Sequence, residues 1–460
     1  MRFFLLLLLF SFFADTYLKA SDKPNILFIM ADDCTFRDIG CYGGQAKTPN
    51  IDKLAAQGMQ FSHCFQAAPM CSPTRHNLYT GLYPVKSGAY PNHTFVKDGT
   101  KSIAHYLKDV GYRVALSGKT HIKPREAFPF EYSAKSNNPD LERINLLFKE
   151  CAKSETPFCL FACSNEPHTP WNKGDSSRYD PEKLKLPSQF VDTPETRDAF
   201  SRYLAEISYY DWQVGQILKR LDESGLTKNT LVMVVSEQGS GFPFAKWTCY
   251  ESGLQSAMIV RWDDKVIPGS KTSAMVEYVD VLPTFLESAG AKIVEGLDGS
   301  SFLDVILGKK DSHKKYVFGE MTTRGINNGS ETFGIRSVRG ERYKYIWNFT
   351  PEIEFKNACT HTEEFKSWIK KAKSGDEDAA DKVRRYQWRP KIEVYDLKND
   401  PYEWKNLAGR PGIKSIQSRL GTVLRDWMDS QGDKGQETEL AALDRQARAK
   451  KRKKSKRTND

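Results

Sequence analysis

After its first twenty residues the sequence has no long apolar run, and it has no internal repeat and only eight histidines. Without a second apolar run, no further segment is expected to cross a membrane. The small number of histidines argues against metal sites built from several imidazoles. With no repeats, 460 residues predict two or three domains, or one large domain with a smaller one. The 12% aromatic and 27% charged residues are typical of a folded globular protein.

The one long apolar run, Phe3–Phe13, lies at the N-terminus. It follows Arg2 and precedes Leu18-Lys19-Ala20, which offers a small residue at a cleavage point. This order is typical of a secretory signal peptide. A membrane anchor is the alternative, but the run is too short to span a bilayer comfortably. Residues 1–20 are therefore predicted to be a cleaved signal and the protein to be exported.

The formal net charge of +10 arises mostly near the C-terminus. Residues 445–457 hold nine basic side chains and no acidic one. A run of like charge is predicted to be disordered, and the tail is taken as 433–460. It either solubilises the protein or tethers it to an anionic polymer or surface. Nucleic-acid binding is not expected of an exported protein.

Continuous apolar runs at 24–30, 112–118, 156–163 and 230–235 predict buried strands of a parallel sheet, and hence an α/β fold. Polar residues follow each run. In open α/β sheets ligands bind at this carboxyl edge. The acidic pair after the first run would repel unless a cation lay between its members; an exposed acidic turn is the alternative. The residues after the four runs are Asp32 and Asp33, Lys119 and His121, His168, and Glu237 and Gln238.

The stretch from Cys71 to Gly81 predicts a helix. Ser72 is expected to cap it, Pro73 to occupy the first position, and Gly81 to end it. Cys71 would then lie at the positive end of the helix dipole beside Arg75, a place for an anion or an activated sulfur. A buried cysteine before a helix is the alternative. The nine cysteines give no disulfide pairing, but Cys71 is excluded from any bridge.

The pattern Cys71-x-Pro73-x-Arg75 with Leu78-x-Thr80-Gly81 resembles the signature of the type I sulfatases. The resemblance extends over roughly residues 24–430, through Asn25-Ile26-Leu27, Gly118-Lys119-x-His121, Pro167-His168 and a closing motif at 394–407. It implies that a formylglycine-generating or sulfatase-maturing enzyme oxidises Cys71 to formylglycine, whose hydrated aldehyde is the nucleophile.

The same resemblance implies a role for each candidate residue. A Ca²⁺ ion would be held by Asp32, Asp33, Glu237 and Gln238, and the modified Cys71 would belong to the same metal site. Arg75 would steady the formylglycine, Lys119 and Lys246 would clamp sulfate oxygens, His121 would handle the proton of the nucleophile or its release, and His168 would be the general acid. The family usually has Asp-Asn where this chain has Glu237-Gln238. Both pairs offer hard oxygen donors that suit Ca²⁺, so the change affects ligand distances more than ligand type.

The fold implied is alkaline-phosphatase-like: a large mixed sheet flanked by helices, with a smaller C-terminal α+β domain. The predicted boundaries are 21–310 for the catalytic domain and 311–432 for the C-terminal subdomain. No transmembrane segment is expected in either, and the sequence does not predict the oligomeric state.

Within the family, the run from Lys119 to Pro124 and the region 333–338 resemble the heparan N-sulfatases (sulfamidases). The best expectation is hydrolysis of N-sulfoglucosamine by a periplasmic or secreted enzyme, lysosomal if the host is eukaryotic. The alternatives are an O-sulfatase acting on glycosaminoglycan or marine algal polysaccharide, a phosphatase or phosphodiesterase of the same superfold, and an inactive carbohydrate-binding homologue. Candidate substrate contacts outside the catalytic set are Glu166, Arg125, Glu320 and Arg324.

Overall fold

The computed structural model describes residues 23–292 and 294–446, which form two sheets. The predicted signal at 1–20 and the residues after 446 lie outside this part. The strands are β1 Asn25–Met30, β2 Met59–Phe65, β3 Arg113–Gly118, β4 Glu131–Ser133, β5 Phe158–Cys163, β6 Thr230–Val235, β7 Gln255–Arg261, β8 Ser270–Thr272, β9 Val276–Glu277, β10 Val317–Thr322, β11 Gly334–Arg339, β12 Tyr343–Asn348 and β13 Ile392–Asp396.

Helices connect these strands and cover the sheets. They are α1 Pro49–Gln57, α2 Cys71–Thr80, α3 Pro84–Ser87, α4 Ile103–Asp109, α5 Leu141–Ser154, α6 Pro194–Glu223, α7 Glu251–Leu254, α8 Val281–Ser288, α9 Leu303–Ile306, α10 Glu363–Lys373, α11 Glu377–Gln387, α12 Lys414–Gln431 and α13 Gln436–Leu440. Within 23–292 and 294–446, no helix combines the length and apolar character needed to cross a bilayer. The nine cysteines form no disulfide.

The large sheet has the order β4-β3-β5-β1-β6-β7-β2-β8, and β9 pairs with β2. Strands β3, β5, β1 and β6 are parallel, whereas β7 runs antiparallel to both β6 and β2. The carboxyl ends of β1, β2, β3, β5 and β6 therefore meet at one edge, and β7 starts at that edge and ends at the opposite one. This arrangement confirms the predicted α/β fold with a large mixed sheet.

Both faces of the large sheet are covered, which explains the continuous apolar runs in its central strands. Leu27 and Ile29 of β1 pack in the cluster that includes α1, α5 and α6. Ile26 and Phe28 pack on the other face, against α2, α4 and α8. Successive side chains of a strand point to opposite faces, so every residue of β1 becomes buried.

The second sheet is antiparallel, in the order β10-β11-β12-β13. Strands β11 and β12 form the hairpin that the sequence predicts around Gly340. Ile335 and Ile346 of this sheet belong to the same apolar cluster as Leu27 and Ile29, so the two sheets share a core. The structure therefore confirms a smaller C-terminal part built on its own sheet.

Helix α2 begins two residues earlier than its sequence signals predict. Met70 is the N-cap, and Ser72 and Pro73 occupy the second and third helical positions. The Ser72 hydroxyl donates to the carbonyl of His121 at 3.0 Å instead of capping the helix. The predicted cap was therefore wrong, because Ser72 is used for a tertiary contact. Gly81 ends the helix with φ of 66°, as expected.

Residues 433–446, here called the C-terminal strap, are ordered and packed, so the predicted disorder is wrong for this part of the tail. The strap contains α13 and ends at Gln446, which forms an isolated bridge with Thr94. Asp433 makes a fully buried ion pair with Arg336 of β11, with 2.5 Å between Oδ2 and Nε. The charge pattern of the sequence did not reveal that Asp433 has a buried partner in Arg336.

Replacement of Arg336 by alanine is expected to lower the free energy of unfolding by about 3–5 kcal/mol, because Asp433 would stay buried without its partner. Urea denaturation followed by circular dichroism measures this loss. Arg342→Ala is the matched control, since Arg342 makes the same two-nitrogen contact with Asp396 at the surface. Exposed pairs contribute little, so equal losses in both variants would contradict this account.

Candidate active site

The carboxyl edge of the large sheet brings together every catalytic and metal-ligating residue that the sequence predicts. Each strand delivers its residues in the loop or helix that follows it. These are Asp32 and Asp33 after β1, Cys71 and Arg75 on the helix after β2, Lys119 and His121 after β3, His168 after β5, and Glu237, Gln238 and Lys246 after β6. We call this set the catalytic cluster.

The backbone at the strand ends is shaped to turn these side chains inward. Gly118 has φ of 104°, and a Cβ on it would lie 2.0 Å from the carbonyl oxygen of Cys163. Only glycine therefore fits the turn that leads to Lys119. Asp33 and His121 also adopt left-handed backbone conformations, with φ of 60° and 54°. Such conformations are uncommon outside glycine and concentrate at functional sites.

One half of the cluster is built around Arg75, which is fully buried. Its Nε lies 2.9 Å and its Nη2 3.0 Å from the carboxylate of Glu237. Its Nη1 donates to the carbonyl of Lys119 at 2.8 Å. The Lys119 ammonium in turn pairs with Asp32. Arg75 thus fixes the positions of two other strand ends.

The other half is built around Asp33. One carboxylate oxygen accepts from the Lys246 ammonium at 2.7 Å, and the other accepts from the Gln238 amide at 2.6 Å. The Nε2 atom of His168 lies 3.5 Å from the same carboxylate. Burial raises the pKa of Asp33, but Lys246 and His168 outweigh it and hold the pKa below its usual range. The cluster as a whole contains three cations and three carboxylates.

Cys71 lies within this field of charges. Burial raises the pKa of its thiol to about 11, opposed by Lys246 and supported by Glu237 and Asp33. The unmodified thiol is therefore neutral near pH 7 and is a poor nucleophile. In the unmodified residue, burial therefore outweighs the helix end and the cations that would otherwise activate the sulfur.

His168 is held by its loop. Its Nδ1 atom donates to the carbonyl of Thr169 at 2.7 Å, since a carbonyl can only accept, and this leaves Nε2 facing Asp33. Burial lowers the pKa of His168 to about 4; Asp33 opposes this shift, and Lys246 and Lys119 add to it. A proton-donor role for His168 therefore requires protonation of Nε2.

His93 is a member of the site that the sequence reasoning missed. Its Nδ1 atom lies 2.8 Å from Nε2 of His121, within hydrogen-bond distance. The loop that carries it is held by the C-terminal strap, where Gln446 donates to the carbonyl of Asn92 at 2.8 Å. No motif marks His93. The only available signal was that histidine is scarce in this chain.

The cluster fits a hard divalent cation by residue type. Asp32 Oδ1, Glu237 Oε1 and Gln238 Oε1 are buried and make no hydrogen bond, although Glu237 Oε1 lies 2.9 Å from Arg75 Nε. Oxygen donors of this kind suit Ca²⁺. Across the described ranges, no three carboxylate, imidazole or thiol groups are already gathered as a metal site. In this conformation the carboxylates are paired with lysine and arginine instead.

The side chains of the four further candidates lie outside the cluster's hydrogen-bond network, although the backbone carbonyl of Glu166 accepts from the backbone N–H of Asp32 at 3.0 Å. Glu166 bonds to Lys173 and to the Asn138 amide, and Arg125 stacks on Tyr132 at 4.3 Å. Glu320 and Arg324 lie where the strap packs on the second sheet. A direct substrate contact for any of the four remains a prediction.

Comparison with known proteins shows which family this chain resembles. A model of the sulfatase family matches residues 24–291, and a model described as N-sulphoglucosamine sulphohydrolase, C-terminal, matches residues 239–374. An ulvan-active sulfatase of Formosa agariphila is 34% identical over 426 residues, covering 90% of this chain and 81% of that protein. Human N-sulphoglucosamine sulphohydrolase is 25% identical over 461 residues, covering 88% and 89%.

The solved structures agree on the fold. A structure described as a 2-O GAG sulfatase superposes with a TM-score of 0.65 at 21% identity and covers 89% of this chain and 93% of that one. The chain belongs to the sulfatase family. It is a sulfuric ester hydrolase with the alkaline-phosphatase-like fold that the sequence predicted.

Addition of Ca²⁺ to metal-free protein is expected to raise the melting temperature, because the ion would bind the assembled cluster and not the unfolded chain. At a hundred times the dissociation constant the gain is about 2.7 kcal/mol. Asp33→Asn should lose most of the shift. Asp298→Asn, which alters a carboxylate paired with Lys86 elsewhere, should retain it. A wild-type protein indifferent to Ca²⁺ would exclude this site.

His93→Ala is expected to lower kcat about 10–100-fold with little change in KM, because His121 would lose the partner that orients its ring. Hydrolysis of 4-nitrophenyl sulfate by matured enzyme measures both constants. His93→Gln should restore part of kcat, since its amide can still hydrogen-bond. His361→Ala, at an exposed position, is the control. A change confined to KM would contradict the positioning role.

Proposed function

We propose that this enzyme removes sulfate from a sulfated saccharide, using Cys71 in its formylglycine form and one bound Ca²⁺. The observation that carries the proposal is the position of Cys71 at the first turn of a buried helix, inside a cluster of three fixed cations. A sulfate group is an anion, and charge builds on the bridging atom as its bond to sulfur breaks. Cations held in a buried site stabilise that charge without reorganisation.

The residues of the chain divide the work as follows. Lys119 and Lys246 bind the sulfate oxygens, and Arg75 fixes the helix end that carries residue 71. His121, oriented by His93, holds the proton that leaves and returns at the nucleophile. His168 delivers a proton from Nε2 to the leaving group.

Two groups complete the site. Oxidised Cys71 would supply a hydrated aldehyde: one hydroxyl would attack sulfur as the bond to the saccharide breaks, and the second would then expel sulfate and restore the aldehyde. A bound ion would supply positive charge beside the sulfate oxygens. Asp32, Asp33, Glu237 and Gln238 would hold the ion. Binding of the ion by these carboxylates would leave Lys119 and Lys246 free to pair with the sulfate.

The substrate class we favour is an O-sulfated polysaccharide or its oligosaccharides. Support comes from the ulvan-active relative, which is more similar to this chain than the human sulphohydrolase over a comparable share of it. N-sulfoglucosamine is the second candidate. It is supported by the match of residues 239–374 to the C-terminal model of the N-sulphoglucosamine sulphohydrolases, and the expectation from the sequence stays a prediction.

A phosphatase and an inactive carbohydrate-binding homologue have less support. A phosphatase of the same superfold would carry Ser or Thr at position 71 and several histidines around two Zn²⁺ ions, whereas here Cys71 is surrounded by lysine, arginine and carboxylates. The only support for an inactive homologue is that Glu237-Gln238 replaces the usual Asp-Asn pair. These two residues still place carboxylate and amide oxygens in the cluster. We further propose that the enzyme is exported and is matured by a formylglycine-generating or sulfatase-maturing partner.

Sulfate release by co-matured, calcium-loaded enzyme tests the proposal. The panel consists of ulvan oligosaccharides, N-sulfated glucosamine and 6-O-sulfated glucosamine, with mass spectrometry of the Cys71 peptide alongside. Release should require formylglycine, and Cys71→Ala should abolish it because the nucleophile is gone. Release from the N-sulfated sugar alone would replace the O-sulfatase assignment by the second candidate. No release on any substrate by fully modified protein would overturn the function.

A further inference from the structure

A second groove lies at the edge of the large sheet opposite the catalytic cluster. It has a volume of about 690 Å³ and lies where the C-terminal parts of α1 and α6 approach the end of β7. Since β7 runs antiparallel to β6, its last residue, Arg261, lies about one strand length, roughly 20 Å, from the edge that carries the cluster. No residue of the cluster lines this groove.

The groove presents a supported aromatic ring. Trp212 of α6 lines it and is 46% exposed. Its ring stacks on Tyr209, one turn earlier, with 5.4 Å between centroids and 30° between planes. A large exposed indole that is held rigid offers an apolar surface at little cost in conformational entropy. Such a surface fits the CH face of a sugar ring.

The groove also presents cations with incomplete pairing. Arg261 is 7% exposed, yet its Nε and Nη2 atoms make no hydrogen bond, and the nearest carboxylate, Asp263, is 3.7 Å away. Buried donors are normally satisfied, and the planar guanidinium matches the oxygens of a sulfate group. Lys53 lines the same groove and has no acidic partner in the part of the chain that the structure describes.

The carboxylates of the groove only partly balance these charges. Asp222 and Asp263 line it together with the basic side chains of Lys53, Lys219 and Arg261. Asp222 also accepts a hydrogen bond from the Thr227 hydroxyl at 2.5 Å. Lys219 lies at the rim with only a long contact of 3.8 Å to Glu223. The groove therefore combines one aromatic platform with one more basic than acidic side chain, in a concave site of the size that small ligands use.

We propose that this groove is a second binding site for a sulfated saccharide, separate from the catalytic cluster. Trp212 stacks on a sugar ring, and Arg261 and Lys53 bind sulfate groups. The choice of ligand rests on the proposed function, whereas the aromatic face and the charge do not. The site holds a sulfated polysaccharide on the enzyme while another segment of that polysaccharide, or another polysaccharide molecule, loses sulfate at the catalytic cluster. A protein partner fits less well, because one exposed tryptophan offers much less apolar area than a stable protein–protein interface buries.

Binding is tested on full-length Cys71→Ala protein, so that turnover plays no part. The probes are dextran sulfate oligomers and uncharged dextran of the same length, measured by calorimetry. Trp212→Ala is expected to weaken binding of the sulfated probe about tenfold. Trp388→Ala, which removes another indole that is 50% exposed, should change it less than about twofold. Uncharged dextran should bind weakly or not at all.

Hydrogen exchange on the same protein locates the contact. The sulfated probe should slow exchange in the C-terminal halves of α1 and α6. Arg261→Gln and Lys53→Gln should reduce this protection, and Lys53 is exposed, so its variant tests the charge without threatening the fold. Equal affinity of Trp212→Ala and Trp388→Ala, or protection confined to the catalytic cluster, would overturn the proposal. Failure of sulfate release by the matured enzyme would instead contradict the proposed function alone.

Discussion

Three buried cations face three buried carboxylates at the carboxyl edge of the large sheet, and this balance of charge constrains the rest of the molecule. Removing ions from water is costly unless each finds a close partner, and here each does, through Arg75, Lys119 and Lys246. The partners come from different strands. The pairs therefore form only when the sheet has its full order, so the assembly of the fold and the assembly of the site are the same event.

The balance also explains how one site can suit both a divalent cation and an anion. Asp33 and Glu237 are held by cations in this conformation, and buried oxygens around them remain without hydrogen bonds. A cation taken up by the carboxylates would leave the lysines to an anion. Paired charges of opposite sign thus stabilise the cluster within the folded protein.

The second sheet and the strap complete the site from outside. The strap is tied to β11 by the buried pair of Arg336 with Asp433, and its last described residue, Gln446, bridges to Thr94 beside His93. Through His93 it reaches His121 at the cluster. A segment almost at the end of the chain thereby braces a loop from its first hundred residues. The basic run begins within this strap, since Arg445 donates to the carbonyl of Gly88 at 2.9 Å.

The strands, the carboxyl edge and the polar residues that follow each strand could all be predicted from the amino-acid sequence. Burial on both faces of the sheet requires continuous apolar runs, and a local motif such as Cys71-x-Pro73-x-Arg75 can be recognised without its tertiary contacts. The sequence also indicated the hairpin around Gly340. The remaining features depend on the three-dimensional arrangement of the chain. Contacts between residues far apart in the chain set the start of α2 and the hydrogen bond of Ser72. They also set the neutrality of the Cys71 thiol, the position of His93 beside His121 and the packing of the strap. Such contacts determine how deeply a side chain is buried and which charge it faces, and a local sequence pattern contains no information about either.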